Sequence, residues 1–411
     1  MPSRPPSPHH PRQERFDLFV STGSSSSDLL LAPVLAELRR RGRLGEVAGA
    51  GGDVLRDEQV RLFVNTDSLS CVGVIAGLRS LLFQAGPLLS AWRRVKQHLR
   101  DRRPDLVVLA DNPGINLPLL RLAHRQGIPV LYYVAPELWG LWSWEVRALV
   151  ARAAVVVPLF RSEAEVYRRH GANVCWLGHP LVDLVGVSRS AGDRDRPPTI
   201  GLFPGSRRLE VRELLPVLQR AAALLHVWEP QARFVVCAAN EVVARQIREH
   251  LPRWSVPVEF TERQSHAVLS RCDLLLTCSG TATLEAAVVG VPMVVMYRMT
   301  HWLDRVITFY KLYRGGFPPV ALPNYLTGQA IVPELILDDV TPERVAEEGL
   351  ALLRDPARRE AMARGFSAVR ELLGPPGALT RVADLVEEWA DRATPVARGG
   401  GARRRVPARH G

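Results

Sequence analysis

The sequence predicts an α/β protein of two doubly wound domains facing one another across a cleft, and three observations carry that expectation. Short apolar runs alternate with segments of helical period, the alternation occurs twice on either side of a polar stretch, and several runs end at a small-residue or acidic turn that opens a helix. At 411 residues the chain also exceeds one ordinary hydrophobic core.

After a Pro-rich tail at 1–15, the segment 16–42 reads as a short strand, a Gly/Ser turn and a helix. Ser26 or Ser27 is placed to cap that helix, with Asp28 in its first turn. DLVVLAD at 105–111 is a buried strand with Asp111 at its C-terminal end, and ligands of open parallel sheets gather outside that end. Further strands are expected at 128–134, 153–159 and 174–177. These elements make an N-terminal domain at 16–185. The composition then shifts to GVSRSAGDRDRPP, a linker at 186–198. A second domain at 199–345 has strands at 233–239, 258–261, 273–280 and 292–297, and helices at 346–393 precede a basic tail at 394–411.

The centre of the second domain is TIGLFPGSRRLEVRELLPVLQRAAALL, from residue 199. Ile200, Leu202 and Phe203 suit a strand, Pro204-Gly205 turns the chain, and Val211, Leu214, Leu215 and Leu218 recur at helical spacing. Backbone N–H groups at such a helix start lack intrahelical partners and favour an anion, and Arg207 offers a fork-shaped cation beside them. The stretch therefore reads as a phosphate cradle or as an ordinary turn with a solvated arginine. Pro216 argues for a main helix beginning nearer Leu214. At 278–299, Ser279-Gly280-Thr281 again ends a strand and opens a helix. Glu285 lies about one turn further on, where a carboxylate accepts both hydroxyls of a ribose or simply steadies a helix dipole.

Composition narrows the classes. With 47% hydrophobic and 23% charged residues the chain is globular. A net charge of +11 invites nucleic acid, but no aromatic-interleaved basic patch or zinc-finger spacing accompanies it, and an anionic substrate or membrane surface fits as well. The five cysteines form no CxxC pair, which points to a reducing cytosol. No signal peptide or apolar run of spanning length is evident. The most apolar long segment, 69–92, reads either as a core or cleft-lining helix pair or as a surface that dips into a bilayer interface. Asp193 and Asp195 mimic a metal-binding pair but sit in the charged linker without a preceding strand, and His179 lies near the crossing between domains, either touching the cleft or packing a hinge.

In order and at similar separations, GHPLVD (178–183), FPGSRRLEV (203–211), SGTATLE (279–285), YRM (297–299) and LPNYLTG (322–328) resemble the lipid-A-disaccharide synthase family of inverting GT-B glycosyltransferases. The resemblance runs from about Leu18 to Arg370. It implies a UDP-2,3-diacylglucosamine donor, a 2,3-diacylglucosamine 1-phosphate acceptor, a β-1,6-linked disaccharide product and UDP, with no metal or other cofactor. It also implies a cytoplasmic protein held peripherally at the inner face of the cytoplasmic membrane. On its terms Gly205, Ser206, Arg207, Ser279, Gly280 and Thr281 hold the diphosphate, Glu285 the ribose, the main chain at Tyr297, Arg298 and Met299 the uracil, and Asn324 shapes the cleft. Asp111 matches the first acid of a strand-end pattern that here reads DNPGIN, which makes it the candidate general base. Asn116 closes the same pattern, and Asp28 is a second acid for the cleft.

Three departures fall in the N-terminal half. A turn usually reading GE-x-SGD is Gly23-Ser24-Ser25-Ser26-Ser27-Asp28, the second strand-end acid is Gly114, and the tryptophan-rich stretch 139–144 lacks its arginine. Donor use is thereby better supported than the acceptor, and a related transferase with another lipid or glycan acceptor, a UDP-sugar 2-epimerase and a non-catalytic nucleotide-sugar-binding protein stand as alternatives.

Overall fold

The computed structural model describes residues 15–66, 89–136, 143–185, 196–298 and 319–393. Two six-stranded parallel sheets dominate it. The first contains β1 (Phe16–Thr22), β2 (Leu44–Gly51), β3 (Arg61–Asn65), β4 (Leu106–Ala110), β5 (Val130–Tyr133) and β6 (Val155–Val157), in the order β3-β2-β1-β4-β5-β6. The second contains β7 (Thr199–Phe203), β8 (Arg233–Ala238), β9 (Val258–Glu262), β10 (Leu274–Cys278), β11 (Met293–Tyr297) and β12 (Glu334–Ile336), in the order β12-β11-β10-β7-β8-β9. Helices bury both faces, so β4, β7 and β10 are buried throughout and show no polar alternation.

The order of each sheet reverses at a pair of central strands. In the first, Leu18–Thr22 of β1 runs in register with Leu106–Ala110 of β4; in the second, β7 and β10 pair. The turns after β1 and β4 therefore lie side by side, as do those after β7 and β10. Such switch points are where open α/β sheets bind ligands.

Several local expectations change. The helix after β7 runs from Arg208 to Trp228, straight through Pro216. Pro216 and Arg212, whose carbonyl loses the bond, are both exposed, so water satisfies the freed group. At 174–177 only one bridge forms, Val174 to Val156, before the chain leaves for the second domain. Strands β2, β3 and β12 were not anticipated: β2 is rich in glycine and alanine, while β3 and β12 are short edge strands whose pairing depends on their neighbours.

The last helix, Ala378–Ala393, packs on the first domain, not the second. Val382, Ala383, Val386 and Ala390 join the core formed by Leu18, Val20, Leu31 and Leu35. Buried Arg43 donates to Asp391 at 2.5 Å, and Arg41 pairs with Asp384 and Glu387. The chain thus crosses between domains a second time, and the two crossings are sewn together. Asp183 accepts from the backbone N–H groups of Gly377 and Leu379, and Arg381 donates to the Leu177 carbonyl.

Most of the apolar segment 69–92, residues 139–142 of the tryptophan-rich stretch, Asp193, Asp195 and both tails lie outside the described residues. Among the described residues no helix is long and apolar enough to cross a membrane.

Candidate active site

A cleft of about 310 Å³ opens between the domains, where the turns after β1 and β4 face the helix that follows β10. Ser24, Asp111, Phe160, His179, Thr281 and Leu322 are among its walls. A separate groove of about 400 Å³ around Arg15, Arg39 and Arg61 contains none of the residues singled out in the sequence.

Asp111 reaches this cleft on an unusual backbone. Both Asp111 (φ +58°) and Asn112 (φ +31°) are left-handed, a conformation that costs non-glycine residues on the order of 1 kcal/mol or more. Their surroundings enforce it. Buried Asn116 donates from its amide to the carbonyls of Ala110 and Asp111, both at 2.8 Å, and accepts from Ser21 Oγ; the buried Tyr132 hydroxyl also donates to the Asp111 carbonyl. Asn116 is therefore committed to shaping the turn and holds Asp111 without touching a ligand. On the neighbouring strand Gly23 lies so close to Asn112 that a Cβ would fall 1.9 Å from the Asn112 Cβ, so this position requires glycine.

The altered serine turn is tied to the acid. Ser24, not Ser26 or Ser27, caps the first helix (Ser25–Arg40), accepting from the Ser27 N–H. Ser24 Oγ donates to Asp111 Oδ2 at 2.9 Å, and Asp111 lines the cleft. Asp28 behaves differently: it is wholly buried, with its carboxylate accepting from Thr22 Oγ1 and from the Gly52 N–H. It anchors the starts of two helices to the sheet and is not among the residues that line the cleft.

In the second domain Gly205, Ser206 and Arg207 occupy the expected turn, but an internal anion already sits there. Glu210 Oε2 accepts from the backbone N–H groups of Ser206 and Arg207, and Oε1 accepts from the Arg207 guanidinium at 2.9 Å. A Cβ on Gly205 would lie 2.5 Å from that carboxylate. The cradle is electropositive enough to hold an anion, and a phosphate must share or displace Glu210. Burial opposes the Arg207 cation, but Glu210, with smaller contributions from Cys278 and Asp111, outweighs it and holds it above the ordinary arginine value.

At the second turn Gly280 has a φ of +147° and open space on its Cβ side, while Thr281 lines the cleft. The Ser279 hydroxyl donates to the Val320 carbonyl at 2.5 Å and is not free for a ligand. Glu285 lies in the second turn of its helix (Thr281–Val289), so it is no dipole-stabilising first-turn acid. It is 5% exposed, its Oε2 accepts no hydrogen bond among the described residues, and His266 Nε2 stands 3.6 Å from it. Burial pushes its carboxyl up to about 7, against a smaller opposing effect of Ser265.

Asn324 is saturated. Its Nδ2 donates to Val332 O and Glu334 Oε1, and its Oδ1 accepts from the Ile331 and Val332 N–H groups. It staples the loop that forms the cleft wall and has no amide atom left for uracil or ribose. Tyr297 ends β11 and Arg298 is exposed just beyond it; Met299 lies outside the described residues.

The family model described as lipid-A-disaccharide synthetase matches residues 18–375. The chain belongs to that family. It is therefore a glycosyltransferase of the lipid-A-disaccharide synthetase family, and the expected relationship holds over nearly the whole sequence. A lipid-A-disaccharide synthase of Geobacter sulfurreducens is 33% identical over 381 residues, covering 90% of this chain and 96% of its own. In fold, the chain is similar to the UDP-GlcNAc 2-epimerase of Neisseria meningitidis, solved with UDP-GlcNAc (TM-score 0.60, 15% identity, 90% of this chain and 100% of that one), and to the glycosyltransferase of kitacinnamycin (TM-score 0.57, 20% identity, 92% and 100%). These likenesses agree with a GT-B architecture.

The residue that sequence reasoning missed is Ser24. Its signal was the departure itself: a hydroxyl stands where the family turn carries a glutamate, next to an acid distant in sequence.

Proposed function

We propose that the protein transfers 2,3-diacylglucosamine from UDP-2,3-diacylglucosamine to 2,3-diacylglucosamine 1-phosphate, forming a β-1,6-linked disaccharide and UDP. The observation that carries the site assignment is that Asp111 projects from the switch point of one sheet into a cleft walled on the other side by the switch-point helix of the second. Lipid-A-disaccharide synthases related over nine-tenths of the chain support the reaction, and a fold neighbour holding a UDP-sugar supports the donor class.

In this reading the donor's diphosphate lies at the turn 205–207 and beside Gly280 and Thr281. As the bond from the anomeric carbon to the diphosphate oxygen breaks, charge grows on the leaving group, and Arg207 with the helix-start N–H groups stabilises it. Asp111 takes the proton of the acceptor hydroxyl as that oxygen attacks the opposite face of the sugar. Ser24 and Asn116 are positioning residues: one orients the carboxylate, the other its backbone. Glu285 accepts from the ribose hydroxyls. The enzyme works in the cytoplasm at the inner face of the cytoplasmic membrane, where an acylated acceptor resides; the basic balance of the chain favours an anionic surface.

Incubating the purified protein with both substrates and following UDP and the lipid product tests the reaction. Acceptor-dependent UDP release with a new disaccharide is expected; UDP binding without product would move the search to other acceptors. Two substitutions probe the halves separately. Arg207→Ala removes a charged donor and is expected to weaken UDP by about 10- to 100-fold in calorimetry. Ser24→Ala is expected to lower kcat about tenfold with UDP affinity unchanged, whereas Ser24→Thr, which keeps the hydroxyl, retains most activity. Equal losses in the alanine and threonine variants would refute the orienting role of Ser24.

A further inference from the structure

We propose that His179 contacts the substrate, its Nε2–H donating a hydrogen bond to an uncharged oxygen of the acylated sugar in the cleft it shares with Asp111. The proposal rests on the reading of that cleft as the transferase site.

Its basis is a side chain whose donor direction is locked. His179 is 1% exposed and lies at the first crossing between domains. Its own N–H donates to the Leu373 carbonyl at 2.8 Å, which binds this crossing to the return segment, and its ring packs 5.6 Å from that of Phe160. The Leu181 N–H donates to Nδ1 at 3.1 Å. A ring nitrogen that accepts a backbone N–H carries no proton, so in the neutral imidazole the proton is on Nε2. No hydrogen bond within the described protein engages Nε2, and the residue lines the cleft with Asp111 and Thr281. Burial alone holds the imidazole down, to about 3, and the cleft acids Asp111 and Glu163 do not offset it.

Chemistry then limits the role. An imidazole that stays neutral across physiological pH neither donates a full proton to the leaving group nor offsets a phosphate charge. It is suited to a neutral acceptor, a hydroxyl or an acyl carbonyl. The walls favour the acylated part of the sugar: Phe160 packs beside His179, and Leu30, Val134, Leu159, Leu284 and Leu322 also line the cleft. There a single donor is worth more than in water, because the alternative for a carbonyl is to be buried without a partner. Fixing the substrate in the cleft that His179 shares with Asp111 orients the anomeric carbon toward the base.

The test uses the full chain with ¹⁵N-labelled histidine. His179 is expected to give the pattern of a neutral Nε2–H tautomer that does not titrate between about pH 5.5 and 7.5, values set about one unit on either side of an ordinary histidine. UDP alone should leave its Nε2–H resonance in place, and UDP-2,3-diacylglucosamine should shift it. In kinetics His179→Ala is expected to lower kcat/KM by about 10- to 100-fold with UDP affinity within about twofold of wild type, and His179→Gln, which returns an N–H donor of similar reach, to recover most of the loss. A purely packing role would lower melting temperature in both variants and leave the resonance indifferent to the acylated donor. A ring that titrates in this range, an unresponsive resonance, or a glutamine variant as impaired as alanine overturns the proposal. If the wild-type protein makes no disaccharide, the transferase reading fails, and the response of the His179 resonance to the donor still decides this one.

Discussion

Asp111→Asn is expected to lower the rate of transfer by about two to four orders of magnitude while UDP remains bound with near wild-type affinity. The substitution isolates the chemistry because the backbone tolerates it. Asp111 has a φ of +58°, and asparagine is among the few residues that enter this region readily. The bonds that enforce the turn reach the backbone carbonyl of Asp111 from Asn116 and Tyr132, so they do not depend on the carboxylate. Only the Ser24 hydrogen bond and the capacity to accept a proton change. Steady-state turnover combined with UDP titration calorimetry checks the split: near-normal turnover would show that another group removes the acceptor's proton, and loss of UDP binding would show that the variant had disturbed the cleft as a whole. Asn116→Ala is the contrasting case, because it releases two carbonyls and frees the turn to relax, so its effect should include a lower melting temperature.

Glu285→Gln is expected to stabilise the unliganded protein above pH 7 and, in the same measurement, to weaken UDP. Burial raises the Glu285 carboxyl from its ordinary 4.5 to about 7. Between those values the folded chain keeps a proton that the unfolded chain has released, so stability falls as pH rises from 4.5 and levels off above about 7. The gap corresponds to a penalty of about 3 kcal/mol at most, and the polar groups facing the carboxylate, His266 at 3.6 Å and Ser265, do not remove it. Glutamine carries no charge to bury. Denaturant melts should therefore show little difference from wild type near pH 5 and a more stable variant at pH 8. On the proposed ribose contact, saturating UDP should reverse that order, because hydroxyls donating to Glu285 would favour its charged form. A variant equally stable at both pH values would refute the buried-charge account. Unchanged UDP affinity would remove Glu285 from the ribose site.

The alternation of apolar runs and helical segments was sufficient to predict the α/β class, most of the strands and the position of Asp111 at a strand end. These features are local: a fully buried parallel strand needs a continuous apolar run, and a turn needs residues that accept its backbone angles. Motif order carried the family, because FPGSRRLEV, SGTATLE and LPNYLTG keep their sequence and spacing whatever the chain does between them. What local pattern could not specify was which turns meet. That depended on β4 pairing with β1 and β10 with β7, contacts between segments far apart in sequence. The same pairing separated two residues that looked alike. Asp28 and Ser24 share one turn, yet neighbouring strand ends buried the carboxylate of Asp28 against Thr22 and Gly52 and aimed the hydroxyl of Ser24 at an acid 87 positions away. Tertiary structure likewise returned the last helix to the first domain and used every amide atom of Asn324. Sequence by itself determined which segments could become strands, turns and helix starts. Only the folded chain decided whether a polar group in them is spent on the protein or left for a substrate, because that depends on the groups that long-range packing brings beside it.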